Sequence, residues 1–423
     1  MTRTEQLKEP QMGVALSNTD ARAIDATDAD VRPLTGAPRW DGTELATHFA
    51  DSGRIEAFLP SACVQNHAAN LHRLANGDLL CVWFGGTQEG IPDVSIYASR
   101  LAAGTTRWSE AVKLSDDPTR SEQNPVLFTA PGGALWLLYT AQKSGNQNTS
   151  IVRRRISRDH GTTWGPIETL FERAGTFVRQ PLLVLADGSW LCPVFFCRSA
   201  PGERWSGNDD ISAVMVSRDG GVSWSTHEVP DSTGCVHMNV QQLADGTLLA
   251  LYRSRWADTI YASRSTNGRD WSAPEPTTLP NNNASVQFVV LRNGHLALVY
   301  NHSDASNATG RRKSLYDDIE DTEEDPNAPL RDQSASTRGT AFWGAPRAPM
   351  SLAISTDNGK TWRTRHLELG DGFCLTNDSK GQRNREYSYP SIIEAPDGSL
   401  DIAYTFFRQR IKYVNVSEAW IGG

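Results

Sequence analysis

Six times along the chain an apolar run turns on a glycine and resumes as a second apolar run. The segments are 66–84, 123–140, 179–196, 237–254, 286–302 and 387–406, with Gly77, Gly133, Gly188, Gly246, Gly294 and Gly398 in the turns. An N-G, D-G or G-G pair between apolar runs is a strong short-range signal for a β-hairpin. After each of the first five hairpins comes a further strand that ends in Ser ("SIYASR", "IVRRRIS", "AVMVS", "TIYAS", "SLAIS"). One unit is therefore hairpin, third strand, turn and outer strand. Six such units predict an all-β chain folded as a six-bladed β-propeller. The sixth hairpin is followed by "RIKYVNVSEAWI" without a further turn, so its outer strand must come from elsewhere, and "RIEAFLP" at 54–60 is the natural donor.

The turn after the third strand is itself repeated. It reads "SRDHGTTW" at 157–164, "SRDGGVSW" at 217–224, "STDNGKTW" at 355–362 and, shortened, "STNGRDW" at 265–271; the first copy keeps only Ser99 and Trp108. The Asp side chain suits bonding to the backbone that follows it, the Gly supplies a positive φ, and the Trp suits packing between blades. These Asp-box aspartates are read as structural.

Two regions fall outside the repeat. Residues 1–45 lack a hydrophobic period and are expected to form a flexible or surface-wrapping extension before a propeller at 46–423. Residues 303–347 are an insertion in blade five carrying the acidic run "YDDIEDTEEDP". That run reads as a solvated loop, yet so long an insertion suits a lid over the mouth. A net charge of −8 with no concentrated basic face argues against a nucleic-acid partner. No apolar stretch is long enough for a membrane span or export signal, which places the expected location in the cytoplasm. The six cysteines contain no C-x-x-C pair and read as reduced structural thiols. No cofactor is expected, and no metal, since no H-E-x-x-H or similar ligand spacing occurs.

The interleaved hairpins and Asp boxes resemble the sialidase (neuraminidase) superfamily over about residues 55–416. "NHAANLHRLANGDLLCVWFGGTQEGIPDVSIYASR" and "YSYPSIIEAPDGSLDIAYTFFRQRIKYV" are similar to its BNR-repeat, sialidase-like members. The resemblance implies a glycoside hydrolase in which Asp93 stands where the acid/base aspartate belongs, with Glu89 competing for the role. It also implies a tyrosine nucleophile entering blade six at Tyr387, with Glu386 beside it as base and Tyr389 as the alternative occupant of the axis. Sialidases also carry an arginine just ahead of the first hairpin; none lies between Glu56 and His67 here.

Connectivity sorts the remaining polar residues. The glycine turns and Asp boxes share one face. The other face gathers the segments leading into each inner strand and the loops between strands two and three. It receives Asn66, His67, Gln123, Asn124, Arg179, Gln180, His237, Asn239 and Gln287 from the first set, and Arg253, Arg255 and Arg408 from the second. Six blades each deliver an amide, imidazole, guanidinium or phenol to one mouth, the pattern of a ligand site, although some of these amides must bond loop backbone. Arg179, with Arg253 or Arg255, suits a carboxylate clamp. The expected function is an exo-acting glycoside hydrolase that cleaves a terminal acidic sugar from an oligosaccharide or small glycoside. A lyase eliminating at a uronic acid, with His67 or His237 and Tyr387 moving the proton, is the alternative, and a non-catalytic sugar-binding propeller is the third reading.

Overall fold

A computed structural model describes residues 42–200, 202–319, 339–377 and 379–422. The six hairpins fold as six antiparallel sheets in ring order. Blade one holds Gln65–Arg73, Leu79–Gly86, Ser95–Leu101 and Val112–Lys113, and blade two Ser121–Thr129, Leu135–Lys143, Asn146–Ser157 and Glu168–Phe171. Blade three has an inner strand broken into Thr176–Val178 and Leu183–Val184, both paired with Trp190–Phe196. Blade four spans Cys235–Gln242 to Glu275–Pro280, and blade five Gln287–Val290 to Arg363–Glu368. Blade six is Tyr387–Glu394, Ser399–Phe406 and Arg410–Ser417, and its outer strand is Asp51–Phe58 from the start of the propeller. The closing strand thus starts three residues earlier than the sequence pattern suggests, and Ala46–His48 extends that sheet by one more strand. The proposed extension at 1–45 lies outside the described residues up to position 41; Leu45 packs against the core between blades six and one.

Side chains at one inner-strand position tie four of the blades to the next. Asn70 accepts from the Leu127 amide (2.9 Å), Asn239 from Phe288 (2.7 Å), Gln287 from Ile392 (2.7 Å) and Ser391 from Leu71 (2.9 Å). Just ahead of this position the inner strands of blades one, two, four and six slip register. Each slip carries a non-glycine residue at positive φ: Ala68 (63°), Asn124 (51°), His237 (55°) and Tyr389 (51°). Such bulges re-aim side chains, and here they turn His237 and Tyr389 toward the axis. A side chain held at positive φ is uncommon and often marks a functional site.

The Asp boxes behave as scaffold. Ser157 Oγ accepts from the Gly161 amide, while Asp159 accepts from the amide and hydroxyl of Thr163; the boxes of Asp219 and Asp357 repeat this. Even the decayed copy keeps its interblade role, with Trp108 edge-on to Tyr413 of blade six at 5.4 Å. Hydrogen bonds from Thr163, Ser223 and Thr361 hold these three carboxyls down at about 2. A depressed folded value means that the stability they contribute is present above the ordinary carboxylate range and lost as pH falls toward 2. Urea midpoints at pH 4.5 and pH 2.5 should therefore fall further for the native chain than for an Asp159→Asn, Asp219→Asn, Asp357→Asn variant. An equal fall would refute the assignment.

Candidate functional site

At the axis, Tyr389 of blade six is ringed by cations. The guanidinium carbons of Arg179, Arg253 and Arg347 lie 5.4, 5.6 and 5.6 Å from its ring centre. Arg253 donates to the Tyr389 phenol oxygen at 2.5 Å and to Asn283 Oδ1 at 2.7 Å. Arg179 donates through one nitrogen to the carbonyls of Ala69, Tyr389 and Pro390, and its Nε and Nη1 are buried without a hydrogen-bond partner. Arg253 Nη2 is likewise unpartnered. Burial lowers Arg179 to about 10 and Arg253 to about 9, so both stay charged at neutral pH.

The remaining charges are matched. Glu386 accepts from Arg347 (2.9 Å) and pairs with Arg408 Nε (3.1 Å); burial alone would raise its carboxyl, but these two guanidinium groups hold it well below its ordinary value. Glu89 takes Arg408 Nη1 at 2.5 Å, and Asp210 takes Arg255 at 2.7 Å. Among the described residues, five buried guanidinium groups thus face three carboxylates, an excess of two positive charges centred on Arg179 and Arg253. Unpaired buried charge is costly, so this arrangement favours an anionic ligand.

Two imidazoles flank the phenol. His67 lies 4.2 Å from Tyr389 centre to centre and His237 5.5 Å. Burial, reinforced by Arg408 for His67 and by Arg253 for His237, holds both well below their ordinary values, so both are neutral. An arginine can only donate, so His67 Nε2, 3.4 Å from Arg408, accepts, and its Nδ1 donates to Thr405 Oγ1. Both nitrogens of His67 are therefore engaged, whereas His237 Nδ1 is buried without a partner.

Several expected site residues lie elsewhere. Tyr387 packs on Phe406 and Phe407 between blades and donates to the Leu369 carbonyl; the bulge between Ser388 and Ser391 separates it from Tyr389, which holds the axis. Asp93 is exposed and accepts from the Thr87 amide and hydroxyl. Asp210 closes the corresponding loop of blade three by accepting from the Arg198 amide, so this aspartate ahead of a third strand is a repeated loop clasp. Glu386 is a counter-ion held charged between two arginines and not a poised base. Arg253 and Arg255 are not alternatives: two residues apart on an extended strand they share a face, and both turn inward. Asn66 is consumed by Cys63, Gln409, Ser61 and Trp83, while Gln180 and Gln287 bond one another across the axis at 3.0 Å. Asn239 serves the interblade tie. Asn124 and Gln123 sit on the blade-two bulge, with Gln123 Oε1 buried and unpartnered.

Arg347, Asp210 and Asn283 were not singled out from the sequence. Arg347 and Asp210 precede third strands, like Asp93, so comparing that position from blade to blade was the available signal.

The described residues of the insertion, 303–319 and 339–347, reach over the mouth. Trp343 lies 5.9 Å from the Arg253 and 5.1 Å from the Arg255 guanidinium, and Asp318 accepts from Gln88 and from the Asn377 amide. The cavity left among Arg312, Trp343, Arg347, Asn377, Glu386 and Arg408 is about 10 Å³, space for one water at most. A ligand larger than that finds no room among these residues. A larger hollow of about 640 Å³ lies at the rim, between Phe58–Val64 and Ser379–Gln382, and contains none of the arginine cluster.

The BNR repeat-like domain family matches residues 77–402. Among solved structures, a Hadza microbial sialidase is similar at TM-score 0.62 and 13% identity, over 86% of this chain and 68% of that one. A Dyadobacter fermentans protein of unknown function matches at TM-score 0.60 and 15% identity, over 86% and 97%. The NanB sialidase from Streptococcus pneumoniae matches at TM-score 0.60 and 11% identity, over 86% and 70%. At these identities the likeness shows the fold alone. A search of curated protein sequences finds no match.

Proposed function

Since the chain belongs to the BNR repeat-like, sialidase-like family, we propose that it is a glycoside hydrolase acting on a terminal acidic sugar. One observation carries this reading: Arg179 and Arg253 bring two uncompensated positive charges and unused N–H groups to a single phenol, Tyr389. A sugar carboxylate placed there would neutralise the excess charge through charge-assisted bonds. Tyr389 would then attack the anomeric centre, a role tyrosine takes in sialidases. The glycosidic bond breaks, the phenolic proton ends on the leaving oxygen, and water then releases the sugar and restores the phenol. Arg253, bonded to the phenol oxygen, stabilises negative charge as it develops there. A ligand larger than one water enters only when the segment carrying Tyr316 and Trp343 moves off the mouth. The leaving group would then face the rim.

A second reading has its own observation. Among the described residues no carboxylate in the cluster is free of an arginine, whereas His237 is neutral with an unused nitrogen beside Tyr389. That pair suits proton abstraction next to a neutralised carboxylate, which is elimination from a uronic acid.

Both readings require the clamp. Arg179→Ala should lower kcat/KM on acidic glycosides at least about tenfold, from the loss of charge-assisted bonds, and Arg179→Lys should recover only part of it. Initial rates on a panel of sialosides and uronides, with folding checked by circular dichroism, test this. Unchanged turnover by a folded alanine variant would remove the clamp.

A further inference from the structure

Blade two offers three glutamines that neither its strand pairing nor the arginine cluster explains. Gln123 and Gln142 are fully buried and Gln147 is 5% exposed. Gln142 Nε2 and Gln147 Nε2 each donate to one oxygen, the phenol of Tyr316, at 3.0 Å, and that phenol donates back to Gln142 Oε1 at 3.3 Å. Gln123 comes from the blade-two bulge; its Oε1 is buried with no partner, while its Nε2 is occupied by Ser121. Tyr316 belongs to the blade-five insertion, so its hydroxyl reaches these amides from another part of the chain. Its ring lies close against Gly90, where an added Cβ would stand 2.6 Å away. The ring also adjoins Trp205, whose centre is 6.4 Å away, and Trp205 adjoins Trp343 over the arginines. Tyr316, Trp205 and Trp343 therefore link the amide cluster to the arginine site in one chain of ring contacts.

Amides gathered around a single hydroxyl, with an acceptor to spare, are a site for hydroxyl groups. We infer that Gln123, Gln142 and Gln147 form a subsite for the vicinal hydroxyls of a polyhydroxylated acid, and that Tyr316 fills it as an internal stand-in while the mouth is covered. The inference rests on the acidic-sugar reading and extends it. The carboxylate goes to Arg179 and Arg253, the hydroxyl-bearing chain goes to blade two, and the ligand must displace the phenol to enter. Tyr316 is then an intramolecular competitor, and removing its hydroxyl weakens the cover without touching the arginines.

Isothermal titration of the full chain with two simple probes tests this. D-gluconate carries a carboxylate and a hydroxylated chain; propionate carries only the carboxylate. Tyr316→Phe should tighten gluconate at least about fivefold, since each lost hydrogen bond is worth roughly twofold to tenfold. In that background Gln147→Leu should weaken gluconate several-fold and leave propionate unchanged. Hydrogen exchange at residues 311–319 and 341–347 should quicken in Tyr316→Phe. The subsite is overturned if Tyr316→Phe binds gluconate no tighter than the native chain, or not at all, or if Gln147→Leu leaves the gluconate-to-propionate ratio unchanged. The carboxylate reading fails separately, if Arg179→Ala does not weaken either probe.

Discussion

Replacing Glu386 with alanine should cost about 3–5 kcal/mol of folding stability, the range for breaking a buried ion pair from one side. Glu386 is 1% exposed and serves four partners: Arg347, Arg408, Ser388 and Asn384. Without it Arg347 loses its ion-pair partner at the axis, and Arg408 keeps only Glu89. Glu386→Gln should lose less, since an amide still bonds Ser388 and Asn384 but leaves the guanidinium charges unmatched. Because the folded carboxyl is held well below its ordinary 4.5, its contribution is complete above that value and is lost as pH falls through the depressed one. Urea denaturation of both variants at neutral pH reads the effect. A glutamine variant with native stability and no turnover would instead make Glu386 a chemical base, the role the sialidase resemblance implies for it.

How the sequence disclosed one part of the molecule and hid another follows from the physics of each. Hairpin turns such as Asn76–Gly77 and Asp245–Gly246 are local: backbone at positive φ demands a glycine wherever the turn sits. Six repetitions of a local signal define a ring, and the missing outer strand of blade six points to a donor near Arg54–Phe58. The axis obeys no local rule. A one-residue bulge sends Tyr389 inward and Tyr387 between blades, and nothing in "YSYPS" apart from the proline marks it. Regular alternation would have put both tyrosines on one face. Asp93 misleads for the opposite reason. Its resemblance to a catalytic aspartate is real in position, yet Asp210 repeats its loop-closing bond, and a residue repeated from blade to blade more often serves the scaffold. The cover was the least legible element, because Tyr316 and Trp343 acquire meaning only from glutamines and arginines more than 80 residues away in sequence.

Turnover should collapse in Tyr389→Phe, by roughly 10³-fold or more if the phenol is the nucleophile or moves the proton, while Tyr387→Phe should keep most of its activity. The two substitutions remove the same atom from neighbouring positions, so their difference isolates the axis from the packing: Tyr387 gives up one bond to the Leu369 carbonyl, worth about 1 kcal/mol of stability. His237→Ala then separates the two chemistries. In hydrolysis Tyr389 attacks carbon and His237 only lines the pocket, so the loss should be about tenfold and each product pair should gain the mass of one water. In elimination the unpartnered, neutral His237 is the best-placed base, so its loss should approach that of Tyr389→Phe. An unsaturated product absorbing in the ultraviolet should appear, with no water added. The sialidase resemblance of the sequence motifs favours the first outcome, and the absence of an unpaired carboxylate in the cluster, among the described residues, favours the second. Product mass from the native chain, read together with the His237→Ala rate, decides between them: water gain with a mild histidine effect sustains the hydrolase. An unsaturated product with a dead histidine variant assigns the same arginine clamp to a lyase.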